Sequence, residues 1–237
     1  MASWSDPIDA YCERVDSGFW AEPLNAVSNA AFLIAAAAAF AAWRRAGARD
    51  YPALALVAVM VVVGIGSFLF HTFANRWSRL ADVIPIALFI YGTFALAMRR
   101  FLGFGRLASA ALTTVFLVFS FGFERAFALA FGPRGVEAVN GSHGYFPAAL
   151  ALFAVGGALL AQNRFPARRE ARRALLAAAG VFVVSLVFRT IDLALCPAWP
   201  LGTHFVWHCL NAAVLFVLVR AAIRFSASGG PDAVKGC

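Results

Sequence analysis

Three of the four histidines in this chain stand where they can do chemistry. His204 and His208, in GTHFVWHCLN, are four apart; on a helix that spacing stacks two imidazoles on one face, one turn apart, and lets both reach a single metal ion. His71, in GIGSFLFHTF, offers a third ring, and Ser67, four residues before it, puts a hydroxyl on the same stripe one turn deeper. Asp82, in RLADVIPI, adds a carboxylate. Three neutral imidazoles with an open fourth position form a zinc arrangement suited to hydrolysis, because the ion acidifies water to a pKa of about 7 and polarises a carbonyl. In that arrangement Asp82 is the general base or the partner that orients a histidine, and Ser67 bonds the water or a substrate oxygen.

The elements that must hold these residues are membrane helices. Of 237 residues, 62% are hydrophobic and 14% charged, whereas soluble chains are about half apolar and about a quarter charged. That excess excludes a water-soluble domain. A bilayer core of roughly 30 Å takes about 20 apolar residues per helix, and uncharged stretches run 23–43, 52–75, 83–98, 107–123, 138–163, 174–188 and 193–219. They mix Ala, Leu, Val and Phe without period-2 alternation, which favours helices over a membrane barrel. The expectation is an all-α membrane protein, a seven-transmembrane helix bundle over 23–224, with an acidic N-terminal segment at 1–22 and a tail at 225–237. Pro52 is expected to open the second helix, Pro147 to sit at the start of the fifth, and Pro197 and Pro200 to delay the seventh until about 201–203.

Charge sets the orientation. Fourteen Lys and Arg fall in the loops after the first, third, fifth and seventh stretches (Arg44, Arg45 and Arg49; Arg99, Arg100 and Arg106; Arg164, Arg168, Arg169, Arg172 and Arg173; Arg220, Arg224 and Lys235). Five fall on the other side: Arg14, Arg76, Arg79, Arg125 and Arg134. Positive loops stay in the cytoplasm, so the N-terminus is expected outside and the C-terminus inside. The net charge of +8 thereby reads as topology, with no nucleic-acid partner. No C-x-x-C pair marks a zinc finger or redox site, and MASWSDPIDAYCERVD lacks the basic and apolar runs of a cleaved signal.

In this topology His71, Asp82, His204 and His208 all arrive at the outer level of the bundle, although the second stretch runs outward and the third and seventh run inward. Each also has a plainer reading. A histidine in a membrane helix can bond a neighbouring helix; Asp82 can be an N-cap, in competition with Ser78; Ser67 can bond its own backbone, and Gly64 and Gly66 can serve close packing. His143, in NGSHGYF, reads as a loop residue. Arg189 and Asp192, three apart, read most simply as an intrahelical ion pair, with ordering of the site as the other reading.

The motifs YCER and FWAEPLNAVSN near the N-terminus, GSFLFH, LADVIP, TIDLALC and HFVWHCLN make the chain resemble the alkaline ceramidase family, within a wider superfamily of seven-helix membrane hydrolases and related receptors. The resemblance covers essentially the whole chain. It implies zinc on His71, His204 and His208, with Ser67 and Asp82 completing the site, and hydrolysis of the amide bond in ceramide-like lipids. It further implies calcium at Glu13 and Glu22, although the family's other acidic and Asn ligands fall on Ala10 and Val15, with Asp9 and Asp16 one residue away as substitutes. It also implies a disulfide between Cys12 and Cys196, on the side where oxidation is allowed.

The expected partners are the bilayer and a lipid substrate, with no obligate protein partner. The Ala- and Arg-rich composition points to a bacterial inner membrane with the site toward the periplasm. A receptor or sensor with a closed metal site, and an esterase or phospholipase-like relative acting on another lipid, are the competing readings. A transporter fits less well, because the polar groups gather at one face.

Overall fold

Local signals open and close each helix in the computed structural model, which describes residues 3–161 and 165–227. α1 (Pro23–Ser28) begins with proline, whose missing N–H would have no helical partner there, and Asn29, itself helical, leads directly into α2 (Ala30–Arg45). α3 (Tyr51–Phe73) is capped by Asp50, which accepts from the Ala53 N–H, and stops at Ala74 in the left-handed region (φ 41°). Asn75 and Ser78 then form a capping box that starts α4 (Arg76–Arg100). α5 (Arg106–Ala138) breaks at Gly132 (φ 64°), ahead of Pro133. A 3-10 turn (Ser142–Tyr145) leads into α6 (Phe146–Ala158), followed by α7 (Pro166–Leu195) and α8 (His204–Ala227). No strand occurs among the described residues.

Six stretches are long and apolar enough to cross a membrane: α1 with α2, then α3, α4, α5, α7 and α8. The difference from the expected seven lies at 138–163. There α5 continues to Ala138, the 3-10 turn intervenes, and α6 holds 13 residues, about 20 Å of helix at 1.5 Å per residue. Composition ran together what backbone geometry divides. Residues 162–164, with Arg164, and residues 228–237, with Lys235 and Cys237, lie outside the described residues, as does most of the expected tail.

α3 packs along α4, α7 along α8, and α2 bridges α3 and α8. Met60, Leu159, Leu175 and Val219 fill the centre. α5 stands at the edge, burying only Ser109 and Phe116 and exposing Leu107 and Leu129 almost fully, as a lipid-facing helix does. The glycines of α3 serve close packing. A Cβ at Gly66 would lie 1.9 Å from the carbonyl oxygen of Ala81, and one at Gly64 would meet Phe32 and Leu33 at 3.1 Å. Helices α3 and α4 therefore touch through backbone just where Ser67 and Asp82 follow.

Candidate metal centre

The end of α3 and the starts of α4 and α8 meet at one end of the bundle, and with them the three histidines. His71, His204 and His208 are at most 2% exposed. One ligand atom from each lies within 4.8 Å of the others, and the ring centroids are 4.6–5.1 Å apart. Among the described residues no fourth His, Cys, Asp or Glu joins this group.

Hydrogen bonds aim two of the rings. His71 Nδ1 meets Glu22 Oε2 at 2.6 Å, so Nδ1 carries the proton given to the carboxylate and Nε2 presents its lone pair. Nε2 is buried without a hydrogen-bond partner. Ser28 Oγ donates to the Asn25 carbonyl and lies 2.7 Å from His208 Nδ1. With its proton already committed, that hydroxyl accepts from Nδ1–H and leaves Nε2 of His208 as the basic nitrogen. Both are the outer hydrogen bonds that metal-ligating histidines make. His204 is held differently: its backbone N–H donates to Asp192, Tyr11 stacks on its ring at 3.7 Å, and its Nδ1 has no partner. Buried, unpartnered imidazole nitrogens converging on one point are a donor set that suits zinc.

Asp82 and Ser67 are buried beside the cluster. Ser67 lies within reach of the Asp82 carboxyl, whose Oδ1 is buried without a hydrogen-bond partner. Asp82 is no N-cap, since Asn75 fills that role seven residues earlier, with Ser78 completing the capping box. One turn further along each helix, Val63, Ile86, Trp207 and Asn211, with Phe32, begin a partly open apolar cavity that continues to Ala97 and Leu218. It encloses about 830 Å³ of atom-free space counted out to its mouth.

The N-terminal segment roofs the cluster. Ile8 N–H bonds the Ala74 carbonyl, Tyr11 is buried against His71 and His204, and Cys12 N–H donates to Asp192. Cys12 and Cys196 lie at disulfide distance, their Cα atoms 5.4 Å apart.

Two sequence expectations change, and the N-terminal acidic residues find separate partners. Arg189 and Asp192 do not spend themselves on each other. Asp192 accepts the N–H groups of Cys12, Thr203 and His204 at 2.7–2.9 Å, capping α8, while Arg189 bonds the Asn140 carbonyl and lies over Tyr11, Tyr145 and Trp207. Several charge-assisted N–H bonds satisfy a buried carboxylate at a helix start on their own. His143 is no loop residue but a buried member of the 3-10 turn, stacked on Phe127. Of the four acidic residues named for a calcium site, Asp9 and Asp16 are exposed, and Glu13 and Glu22 are buried on separate partners.

Those partners are specific. Glu13 takes the N–H groups of Leu24 and Asn25, each at 2.7 Å, and so caps α1 from a distance. Burial raises its carboxyl above the usual range despite those bonds. Burial also pushes the Glu22 carboxyl up, but hydrogen bonds from His71, Arg14 and Asn25 favour the ionised form and hold it below the usual range. The outer partners Glu22 and Ser28 had no such role in the sequence reading. Their signal was a polar stripe, Glu22, Asn25, Ser28 and Asn29, at helical spacing within an otherwise apolar run.

No curated protein matches the chain. The Ceramidase family does, over residues 8–229, nearly the full length and including every residue of the cluster; the chain belongs to the ceramidase family.

Proposed function

We propose that this protein is a zinc-dependent amidase of the membrane interior, hydrolysing the amide bond of a ceramide-like lipid to a sphingoid base and a fatty acid. The observation that carries the reading is the trio of buried imidazoles, two of them with unpartnered nitrogens and two fixed by outer hydrogen bonds, at the head of an apolar cavity. Zinc on His71, His204 and His208 would supply Lewis acidity for water and for the amide carbonyl. Asp82 takes a proton from the attacking water and returns it to the leaving amine nitrogen, so the balance is amide plus water to carboxylic acid plus amine. Once Asp82 is protonated, the Ser67 hydroxyl turns from the carboxyl and donates to the developing oxyanion, a contact whose removal typically costs about 2.7–4 kcal/mol. The cavity buries the hydrocarbon chains and excludes water from all but its polar head. Absence of a fourth protein ligand among the described residues favours an open, reactive site over a closed sensor.

The same reading keeps α6 and its flanking turns as a seventh pass and places the N-terminus and the site at the outer face. Purified protein tests it: about one equivalent of zinc and fatty-acid release from labelled ceramide are expected, and His208→Ala removes both. Unchanged turnover in that variant refutes the assignment, and release from glycerolipids but not ceramide redirects it to an esterase.

A further inference from the structure

We infer that the N-terminal carboxylate site carries its own cation, Arg14, where the resemblance puts calcium, and that Arg14 positions His71 through Glu22. The second half rests on the proposed metal role of His71; the first does not.

Arg14 is a buried guanidinium, its side chain 6% exposed. Its Nε donates to Glu22 Oε1 at 2.5 Å, one terminal nitrogen donates to the Asp16 carbonyl at 3.2 Å, and the other donates to the His71 carbonyl at 3.2 Å. One side chain thereby ties the N-terminal segment, the start of α1 and the end of α3. Calcium does the same work in proteins by gathering six to eight oxygens from separate segments.

The oxygens calcium would need are taken or absent. Both Glu13 oxygens accept backbone N–H groups. Glu22 Oε1 faces Arg14, and its Oε2 faces His71 and Asn25. Asp16 folds back on the Gly18 N–H, and Asp9 is exposed. Ala10 and Val15 have no side-chain oxygen. A divalent ion at Glu22 would have to displace a guanidinium that is always charged. Arg14 also does something for the histidine: by holding Oε1 it leaves Oε2 aimed at His71 Nδ1, the contact that fixes which nitrogen of His71 faces the metal.

The test uses the full chain in lipid nanodiscs. Radioactive calcium retention is measured at millimolar calcium, and zinc dissociation constants are measured by chelator competition for wild type, Arg14→Gln, Arg14→Lys, Glu22→Gln and the Arg14→Gln/Glu22→Gln double variant. We expect no calcium retained by wild type. Zinc should bind about 10-fold more weakly to Arg14→Gln, the lower end for loss of an outer partner, with Arg14→Lys in between and the double variant no worse than Glu22→Gln alone. One calcium retained per wild-type chain overturns the inference, as does unchanged zinc affinity in Arg14→Gln. Should Arg14→Gln not fold, Arg14→Lys and the wild-type calcium measurement decide. A wild-type chain that holds no zinc sinks the proposed function instead, and calcium retention still decides on Arg14.

Discussion

The Asp50–Arg100 pair at the basic end and the histidine cluster at the other are both buried charged networks, and they are built to opposite rules. At the basic end, Asp50 caps α3 through the Ala53 N–H and takes two bonds from Arg100, which also donates to the Ala222 carbonyl, while Trp43 donates to the Asp50 carbonyl. Every polar atom of that carboxylate and guanidinium is engaged or near solvent. At the other end, Glu22, Ser28, Asp192 and Arg14 engage one side of the cluster, yet His71 Nε2, His204 Nδ1 and Asp82 Oδ1 are left over. Buried polar groups without partners cost stability, so a network that closes on itself reads as structural and one that leaves atoms facing a common point reads as a binding site.

Substitutions at the two ends should separate these rules. His71→Ala or His208→Ala is expected to strip zinc and lower turnover by more than the ~100-fold that losing an outer partner costs, checked by metal analysis beside a fatty-acid release assay. Next comes Asp82→Asn, which should lower kcat by about 10²–10⁴, the range for a positioned general base, with zinc content intact; loss of zinc instead would recast Asp82 as a ligand. Ser28→Ala should weaken zinc binding by roughly 10-fold while leaving kcat of the loaded enzyme nearly unchanged, because it orients His208 without touching substrate. The smallest effect on catalysis belongs to Asp50→Ala. It should cost about 3 kcal/mol of stability, the lower end for breaking a buried pair, seen as a lower Tm, with turnover per folded molecule unaltered. Were Asp50→Ala to change zinc affinity, the contrast between the ends would collapse.

Much of this was legible in the residues. His71, Asp82, His204 and His208 stand out because charge-capable groups are rare within apolar stretches, and that rarity survives any uncertainty about packing. Pro52 and Pro147 each sit at the second residue of a helix, as proline's fixed φ and missing N–H favour, and α8 starts at His204, just past the expected 201–203. The bounds of α6 did not, since hydropathy cannot see that Ser142–Tyr145 turns within an uncharged stretch. Partners far apart in sequence were equally invisible: Glu22 reaches His71 across 49 residues and Ser28 reaches His208 across 180. The i, i+3 spacing of Arg189 and Asp192 misled for a related reason, because the competing donors come from the N-terminus and from the turn before α8.

The crossing at Gly66 has a consequence for how such a site can vary. Because hydrogen is the largest substituent that fits between α3 and Ala81, the gap between the Ser67 hydroxyl and the Asp82 carboxyl is gauged by main chain against main chain. Side chains lining the cavity can be exchanged without resetting that gauge, whereas a single added methyl at the crossing would wedge Ser67 and Asp82 apart. Under the proposed function, substrate preference and reaction geometry are thus separately adjustable.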